Sequence, residues 1–100
     1  MEIKYITISQ LNRYIAYKFD SDSNLQEVYL KGEISNFKYS GKHCYFSLKD
    51  ETAVLSCVYF DCNDENDFKN GDKVVVVGSP RYYVKGGKLN FNFSFNNKKL

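Results

Sequence analysis

Five short strand-like runs behind one helical stripe predict a mainly β chain, a small Greek-key barrel with an N-terminal α-helix. Three observations carry this reading. Leu89, Phe91, Phe93 and Phe95 alternate with Asn90, Asn92, Ser94 and Asn96 without a slip, which sets the period at two. Nine Tyr and eight Phe in 100 residues, with no Trp, favour pleated, half-buried surfaces over helices. Turn signals at Asn70-Gly71-Asp72 and Lys85-Gly86-Gly87-Lys88 divide the C-terminal half into short pieces.

Met1 to Ile6 reads as an extended lead-in. Thr7-Ile8-Ser9-Gln10 fits a capping box, and Ile8, Leu11, Ile15 and Phe19 then form one helical stripe. Polar residues from Asp20 to Asn24 end the helix. The first strand spans about Gln26 to Phe37, with Val28, Leu30, Gly32 and Ile34 on one face and Tyr29, Lys31, Glu33 and Ser35 on the other. Gly32 in mid-strand predicts a bulge or a sharp coil. The second strand, about His43 to Lys49, points Cys44, Phe46 and Leu48 one way and His43, Tyr45, Ser47 and Lys49 the other. The third, Ala53 to Phe60, is apolar on both faces; Ser56 favours Leu55, Cys57 and Tyr59 as the inward set. The fourth runs from Lys73 to about Tyr83 through four consecutive valines, with Gly78 and Pro80 expected to break or bend it. The fifth is the Leu89 to Phe95 run.

Five strands with a mid-strand glycine and an insertion between the third and fourth match the OB-fold, a partly open five-stranded barrel. An SH3-like barrel is the competing architecture. The chain divides into a lead-in and helix, 1–24, and a barrel, 25–100. At this length it is one domain with one core. Three cysteines, Cys44, Cys57 and Cys62, form no CxxC pair and read as buried, reduced thiols. No stretch has the roughly 18 apolar residues of a membrane span, and the N-terminus lacks a signal-peptide pattern. A cytoplasmic location is therefore expected.

Net charge is only +2, so any nucleic-acid surface must concentrate its charge locally. The outward stripe of the second strand does so: His43, Tyr45, Ser47 and Lys49 set one ring among polar and basic groups. Rings stack bases and cations neutralise phosphates. Two flanking segments repeat the chemistry. The loop Asn36 to Lys42 offers Phe37, Lys38 and Lys42. The hairpin Arg81 to Lys88 offers Arg81, Tyr83, Lys85 and Lys88, with one of Tyr82 and Tyr83 facing inward by parity. Asp61, Asp64, Glu65 and Asp67 lack EF-hand spacing and read as a solvated loop whose side a phosphate backbone should avoid. A single His without a nucleophile–base pair gives catalysis no support, and no metal site or cofactor is expected in this stretch.

Five blocks in order also resemble one family, the N-terminal domain of the exodeoxyribonuclease VII large subunit. They are Ser9-Gln10-Leu11-Asn12-Arg13-Tyr14, Gly32 to Phe37, His43 to Asp50, Cys57-Val58-Tyr59-Phe60, and Gly71-Asp72-Lys73-Val74 with Gly78. The departures are small: Lys42 separates Gly41 from His43, and Cys44 fills a position that is often aromatic. The resemblance implies an OB-fold that captures single-stranded DNA for exonucleolytic hydrolysis to short oligonucleotides. It further implies a catalytic domain C-terminal to this stretch and a small subunit bound to the remainder, so the chain reads as the N-terminal piece of a larger nuclease. It leaves the parent enzyme's metal requirement open. An RNA-binding OB module and a protein-docking domain are the alternative readings.

Overall fold

A computed structural model describes residues 2–62, 68–93 and 98–99. Helix α1 covers Ile8–Ser21, followed by a 3-10 turn at Ser23–Leu25. The strands are β1 (Val28–Ser40), β2 (His43–Lys49), β3 (Val54–Tyr59), β4 (Lys73–Tyr83), β5 (Lys88–Phe93) and a two-residue β6 (Lys98–Lys99). No helix among the described residues is long and apolar enough to cross a membrane.

The strands close into a ring. β1 pairs with β2, β2 with β3, β3 with β5, β5 with β4, and β4 returns to β1. All these pairings are antiparallel except β3–β5, where Cys57 lies opposite Phe91 and Val58 opposite Asn92 in parallel register. β6 adds to β4 beside Val74 and Val75. This is the five-stranded OB architecture the alternation predicts, and the closed ring removes exposed sheet edges.

β1 and β4 change partner along their length, and a glycine lies at each handover. β1 faces β4 from Val28 to Glu33 and β2 from Glu33 to Ser40. At Gly32 a Cβ would come within 2.8 Å of Leu48 Cγ and 3.0 Å of the Lys49 carbonyl oxygen, so only glycine lets β1 coil that tightly over β2. β4 faces β1 through Gly78 and β5 from Gly78 onward. A Cβ at Gly78 would collide with the Asn92 carbonyl. Gly78 and Pro80 therefore bend β4 without breaking it, and the strand continues to Tyr83.

The expected Asn36–Lys42 loop is corrected. β1 continues to Ser40, and only Gly41 and Lys42 turn the chain into β2. Gly32 carries the tight coil and the bulge lies further on, at Asn36–Phe37: the register shifts between Ser35 and Lys38, and Asn36 takes φ 55°. Such a bulge inserts an extra residue and re-aims those after it. The Phe37 N–H donates to Asn70 Oδ1 at 2.9 Å, and Ile34 N–H to the Asp72 carbonyl at 2.9 Å. The turn before β4 thus caps amides of β1 where it changes partner.

The core contains Ile34, Cys44, Phe46, Leu48, Cys57, Val74, Val76, Phe91 and Phe93, with Leu55 and Tyr59 packed against it. The expected parity of β1, β2 and β3 is present. Leu89, expected inward, lies at the barrel end and stays exposed, while Phe95 falls outside the described residues. The cysteines depart from the expectation of three free thiols. Cys44 and Cys62 form a disulfide with Cα atoms 6.2 Å apart. The alternation that buries Cys44 in β2 also turns it towards the segment leaving β3, a juxtaposition invisible in one dimension. Cys57 stays free and buried, and desolvation pushes its thiol up to about 12.

Helix α1 starts where its capping box predicts. Gln10 N–H donates to Thr7 Oγ1 at 3.0 Å and Thr7 N–H to Gln10 Oε1 at 2.8 Å. The helix packs on β4, with the Phe19 ring edge-on to Tyr82 at 6.1 Å.

Candidate nucleic-acid interface

The outer face of β2, β3, β5 and β4 gathers three rings, Tyr45, Phe60 and Tyr83, around one pocket. Tyr45, half-buried on β2, lies directly opposite Val58 of β3 and Lys38 of β1. Directly opposite residues share one face, so Lys38 places a cation beside the Tyr45 ring. Tyr45, Val58, Phe60, Tyr83 and Asn90 line a shallow pocket of about 210 Å³. His43 meets Phe60 edge-on, ring centroids 5.1 Å apart. Its Nδ1 accepts the Asp61 N–H at 3.0 Å, which leaves Nε2 as the position for a proton on the neutral ring. Asp61 itself takes φ 55°, and the disulfide at Cys62 follows at once. Tyr83 donates its hydroxyl to Asn92 Oδ1 at 3.1 Å, which orients the ring.

The predicted site residues separate into three groups. Lys38, His43, Tyr45 and Tyr83 gather around the ring pocket, and Lys88 lies opposite Tyr83 on the same face. Lys42 and Lys85 project from exposed turns, and Ser47 sits on the Tyr45 stripe opposite Ser35 and Ser56. The other three are placed elsewhere. The Phe37 ring turns to the core, stacking on Phe46 at 5.6 Å and meeting Tyr39 at 5.1 Å, because the bulge rotates it inward. Lys49 pairs with Glu33 at 3.5 Å at the far end of the stripe. Arg81 is held by helix α1: its guanidinium bonds Asp20 Oδ1 at 3.0 Å and Gln26 Oε1 at 3.1 Å. Of the hairpin tyrosines, Tyr82 faces the helix and Tyr83 the pocket.

Phe60, Val58, Asn90 and Asn92 belong to this surface and were not singled out by the sequence. A signal for Phe60 existed: if Leu55, Cys57 and Tyr59 face inward, the next residue faces outward. Asn90 and Asn92 were legible as the polar set of β5 but not as neighbours of Tyr45, because β5 reaches this face through its pairings with β3 and β4.

The acidic segment is nearer than expected. Asp61 borders the ring cluster through His43, while Asp64, Glu65 and Asp67 lie outside the described residues. Cations therefore flank the rings on the β1 and hairpin sides, and an acid flanks them where β3 ends. A bound polyanion would be drawn towards Lys38, Lys42, Lys85 and Lys88 and away from Asp61.

Comparison with known proteins agrees with this fold. Residues 6–95 match a family described as "OB-fold nucleic acid binding domain". An exodeoxyribonuclease 7 large subunit from Limosilactobacillus reuteri (strain DSM 20016) is 45% identical over 92 residues, covering 85% of this chain and 20% of that protein. The same-named protein from Bacillus cereus (strain B4264) is 48% identical over 91 residues, covering 87% and 20%. The chain thus spans about a fifth of the length of these curated relatives. Among solved structures, a replication protein A heterotrimer bound to ssDNA superposes with a TM-score of 0.63 at 13% identity, over 76% of this chain and 58% of that one. Asparaginyl-tRNA synthetase from Pyrococcus horikoshii gives a TM-score of 0.62 at 14% identity, over 76% and 20%. At these identities the two structures support the fold alone.

Proposed function

The chain belongs to the OB-fold nucleic-acid-binding domain family, and from that premise we propose that it captures single-stranded DNA for an exodeoxyribonuclease of the kind its relatives are named for. The observation that supports this best is the ring pocket formed by Tyr45, Phe60 and Tyr83, with Lys38 and Lys88 on the same face. Bases unstacked from a duplex offer their faces to such rings, and their phosphates meet the lysines. A duplex hides those faces, so single strands are preferred. In this reading residues 25–100 are the capture unit and residues 1–24 a separate N-terminal segment, whose helix α1 packs on β4. Hydrolysis itself belongs to a catalytic domain of the same parent chain, assisted by a small subunit, in the cytoplasm. Disulfides are rare there, so the Cys44–Cys62 bridge runs against this location; three free thiols in natively isolated protein would favour the cytoplasm, and Cys57 alone free would overturn it.

Titrating labelled oligo-dT, an equal-length duplex and the matching RNA, each at several salt concentrations, tests the capture role by fluorescence anisotropy. Four lysines with no ion pair among the described residues, Lys38, Lys42, Lys85 and Lys88, imply a log–log salt slope of about −3, at roughly −0.7 per phosphate. A flat salt response, or a duplex bound as well as the single strand, would overturn the reading. Tighter binding of RNA would move the assignment to an RNA-directed module with contacts to the 2′-hydroxyl.

A second surface favours a docking role alongside capture. Ile3, Tyr5, Ile6, Ile8 and Leu11 are exposed in succession along the lead-in and the start of α1. Contiguous apolar patches of this kind mark interaction sites. The remaining four fifths of a parent nuclease is the proposed occupant. In the full-length protein, Ile3→Ser with Ile6→Ser would then loosen protection of this segment from proteolysis. Unchanged protection would remove the docking role.

A further inference from the structure

Helix α1 has no buried residue, yet its polar contacts with the barrel converge on one arm, the end of β4 and the hairpin after it. Asn12 Nδ2 donates to the Val84 carbonyl at 2.9 Å, and Asn12 Oδ1 accepts the Tyr82 hydroxyl at 3.5 Å. Eight residues later, about 12 Å along the helix, Asp20 Oδ1 takes the Arg81 guanidinium at 3.0 Å. Gln26 completes this second attachment. Its Nε2 donates to the carbonyls of Phe19, Asp20 and Asp22 at 3.0, 3.0 and 2.9 Å, and its Oε1 accepts from Arg81 at 3.1 Å. Those carbonyls lie at the helix C-terminus, where the last acceptors have no partner within the helix. One amide side chain thus closes the helix end and holds the arginine that leads into the hairpin. Between the two attachments the Phe19 and Tyr82 rings meet edge-on.

The hairpin so held carries Tyr83, Lys85 and Lys88. A turn of Val84 to Gly87 is closed from within by the Gly87 N–H to the Tyr83 carbonyl, at 2.7 Å. That bond lies within the turn. The side chain of Asn12, 72 residues earlier in the chain, ties the turn to α1 from outside. The fit at this point is close, since a Cβ on Gly87 would lie 3.4 Å from Asn12 Nδ2.

Resting on the reading that the ring face binds single-stranded DNA, we propose that Asn12 and Gln26 are positioning residues, through which α1 sets the β4–β5 hairpin in its DNA-binding orientation before the strand arrives. Neither residue touches the ring pocket. Their effect is preorganisation: a loop already ordered in its bound form loses less freedom on binding. Arg81, read from the sequence as a phosphate ligand, acts in this clamp.

Asn12→Ala and Gln26→Ala test the assignment by oligo-dT anisotropy across a salt series, together with amide hydrogen exchange. Each variant should weaken binding about three- to tenfold through lost preorganisation. The salt slope should stay unchanged, because no phosphate-neutralising lysine is removed. Amides of Val84 to Gly87 should exchange faster while those of Phe46 and Cys57 in the core do not. Truncating Lys88 should cost less in the Asn12→Ala background than in the wild type, since both act through one hairpin. A purely structural role would instead speed core exchange and leave the two substitutions additive. The proposal is overturned if both variants bind like a wild type that itself binds oligo-dT. A wild type that fails to bind overturns the capture reading first, and this proposal with it. If Asn12→Ala does not fold, Gln26→Ala, at the exposed end of the clamp, decides the question.

Discussion

The two ends of the outer sheet face differ in kind. At one end Tyr45, Val58, Phe60, Tyr83 and Asn90 line a pocket of about 210 Å³ without a charged group in its wall. At the other, Lys31, Gly32, Glu33, Lys49, Asp50, Glu51 and Lys73 line a larger one of about 400 Å³. Three lysines there face three carboxylates, and Lys49 is already paired with Glu33. The larger pocket has no ring for a base, and its charges cancel locally. The smaller has rings inside and cations at its border. Under the proposed capture role, cavity size is a poorer guide to the binding end than the rings and the sign and partnering of the charges around them. For a chain of net charge +2, the proposed capture role rests on the lysines beside the rings and not on those set among carboxylates.

Four substitutions and one titration would break or sharpen this contrast. The largest effect belongs to Tyr45→Ala, which should weaken single-strand binding by about 1–3 kcal/mol, the worth of one base stacked on a ring. Urea unfolding should barely change, because Tyr45 is only half-buried. Wild-type affinity in this variant would take the site away from the ring end. Gly32→Ala acts at the opposite end. The added methyl meets Leu48 and the Lys49 carbonyl, and overpacking should lower stability by about 1–2 kcal/mol. Binding by the folded protein should stay as in the wild type, and a matching loss of affinity would show that the two ends are not independent.

A smaller effect is expected of Lys49→Ala. Exposed ion pairs such as Lys49–Glu33 contribute about 0–1 kcal/mol, and Lys49 is neutralised in place. Oligo-dT affinity should fall less than twofold, whereas Lys38→Ala, beside Tyr45, should also reduce the salt slope by about 0.7. Equal slopes for the two variants would erase the distinction between paired and free lysines. The smallest effect is a pH response at the charged end. Asp50 accepts the Thr52 and Ala53 N–H groups, both at 2.9 Å, and these bonds hold its carboxyl below the ordinary Asp value. A depressed carboxyl stabilises the folded state above the unfolded value, and that contribution disappears as pH falls through the folded one. The Thr52 and Ala53 amide resonances should therefore titrate below the usual Asp midpoint, with the ring end unaffected. A midpoint at the ordinary value would show that the turn bonds are not formed.

Local rules explain which features were legible without coordinates. The capping box at Thr7 and Gln10 needs only four residues, and it starts α1 where it should. Strict alternation in β2 determines which of its side chains are buried, because successive side chains must point to opposite faces. The outward stripe of His43, Tyr45, Ser47 and Lys49 followed from that alone. What the stripe did not reveal is that its members have different fates. Lys49 meets Glu33 because β1 coils over β2 at Gly32, a long-range register. Arg81 meets Asp20, 61 residues earlier. Phe37 turns inward because one bulge residue, Asn36, shifts every later side chain of β1 by one position.

Sequence by itself thus determined the elements, their faces and the barrel they close into, since periodicity, capping and turn chemistry act over a few residues. Only the tertiary structure decided which lysines remain free, which rings share a pocket, that Cys44 meets Cys62, and that α1 holds the hairpin. Each of those is a pairing between segments far apart in the chain. Partner choice at that distance depends on how the closed ring of strands coils and where a bulge or glycine lets it bend, and no local pattern encodes it.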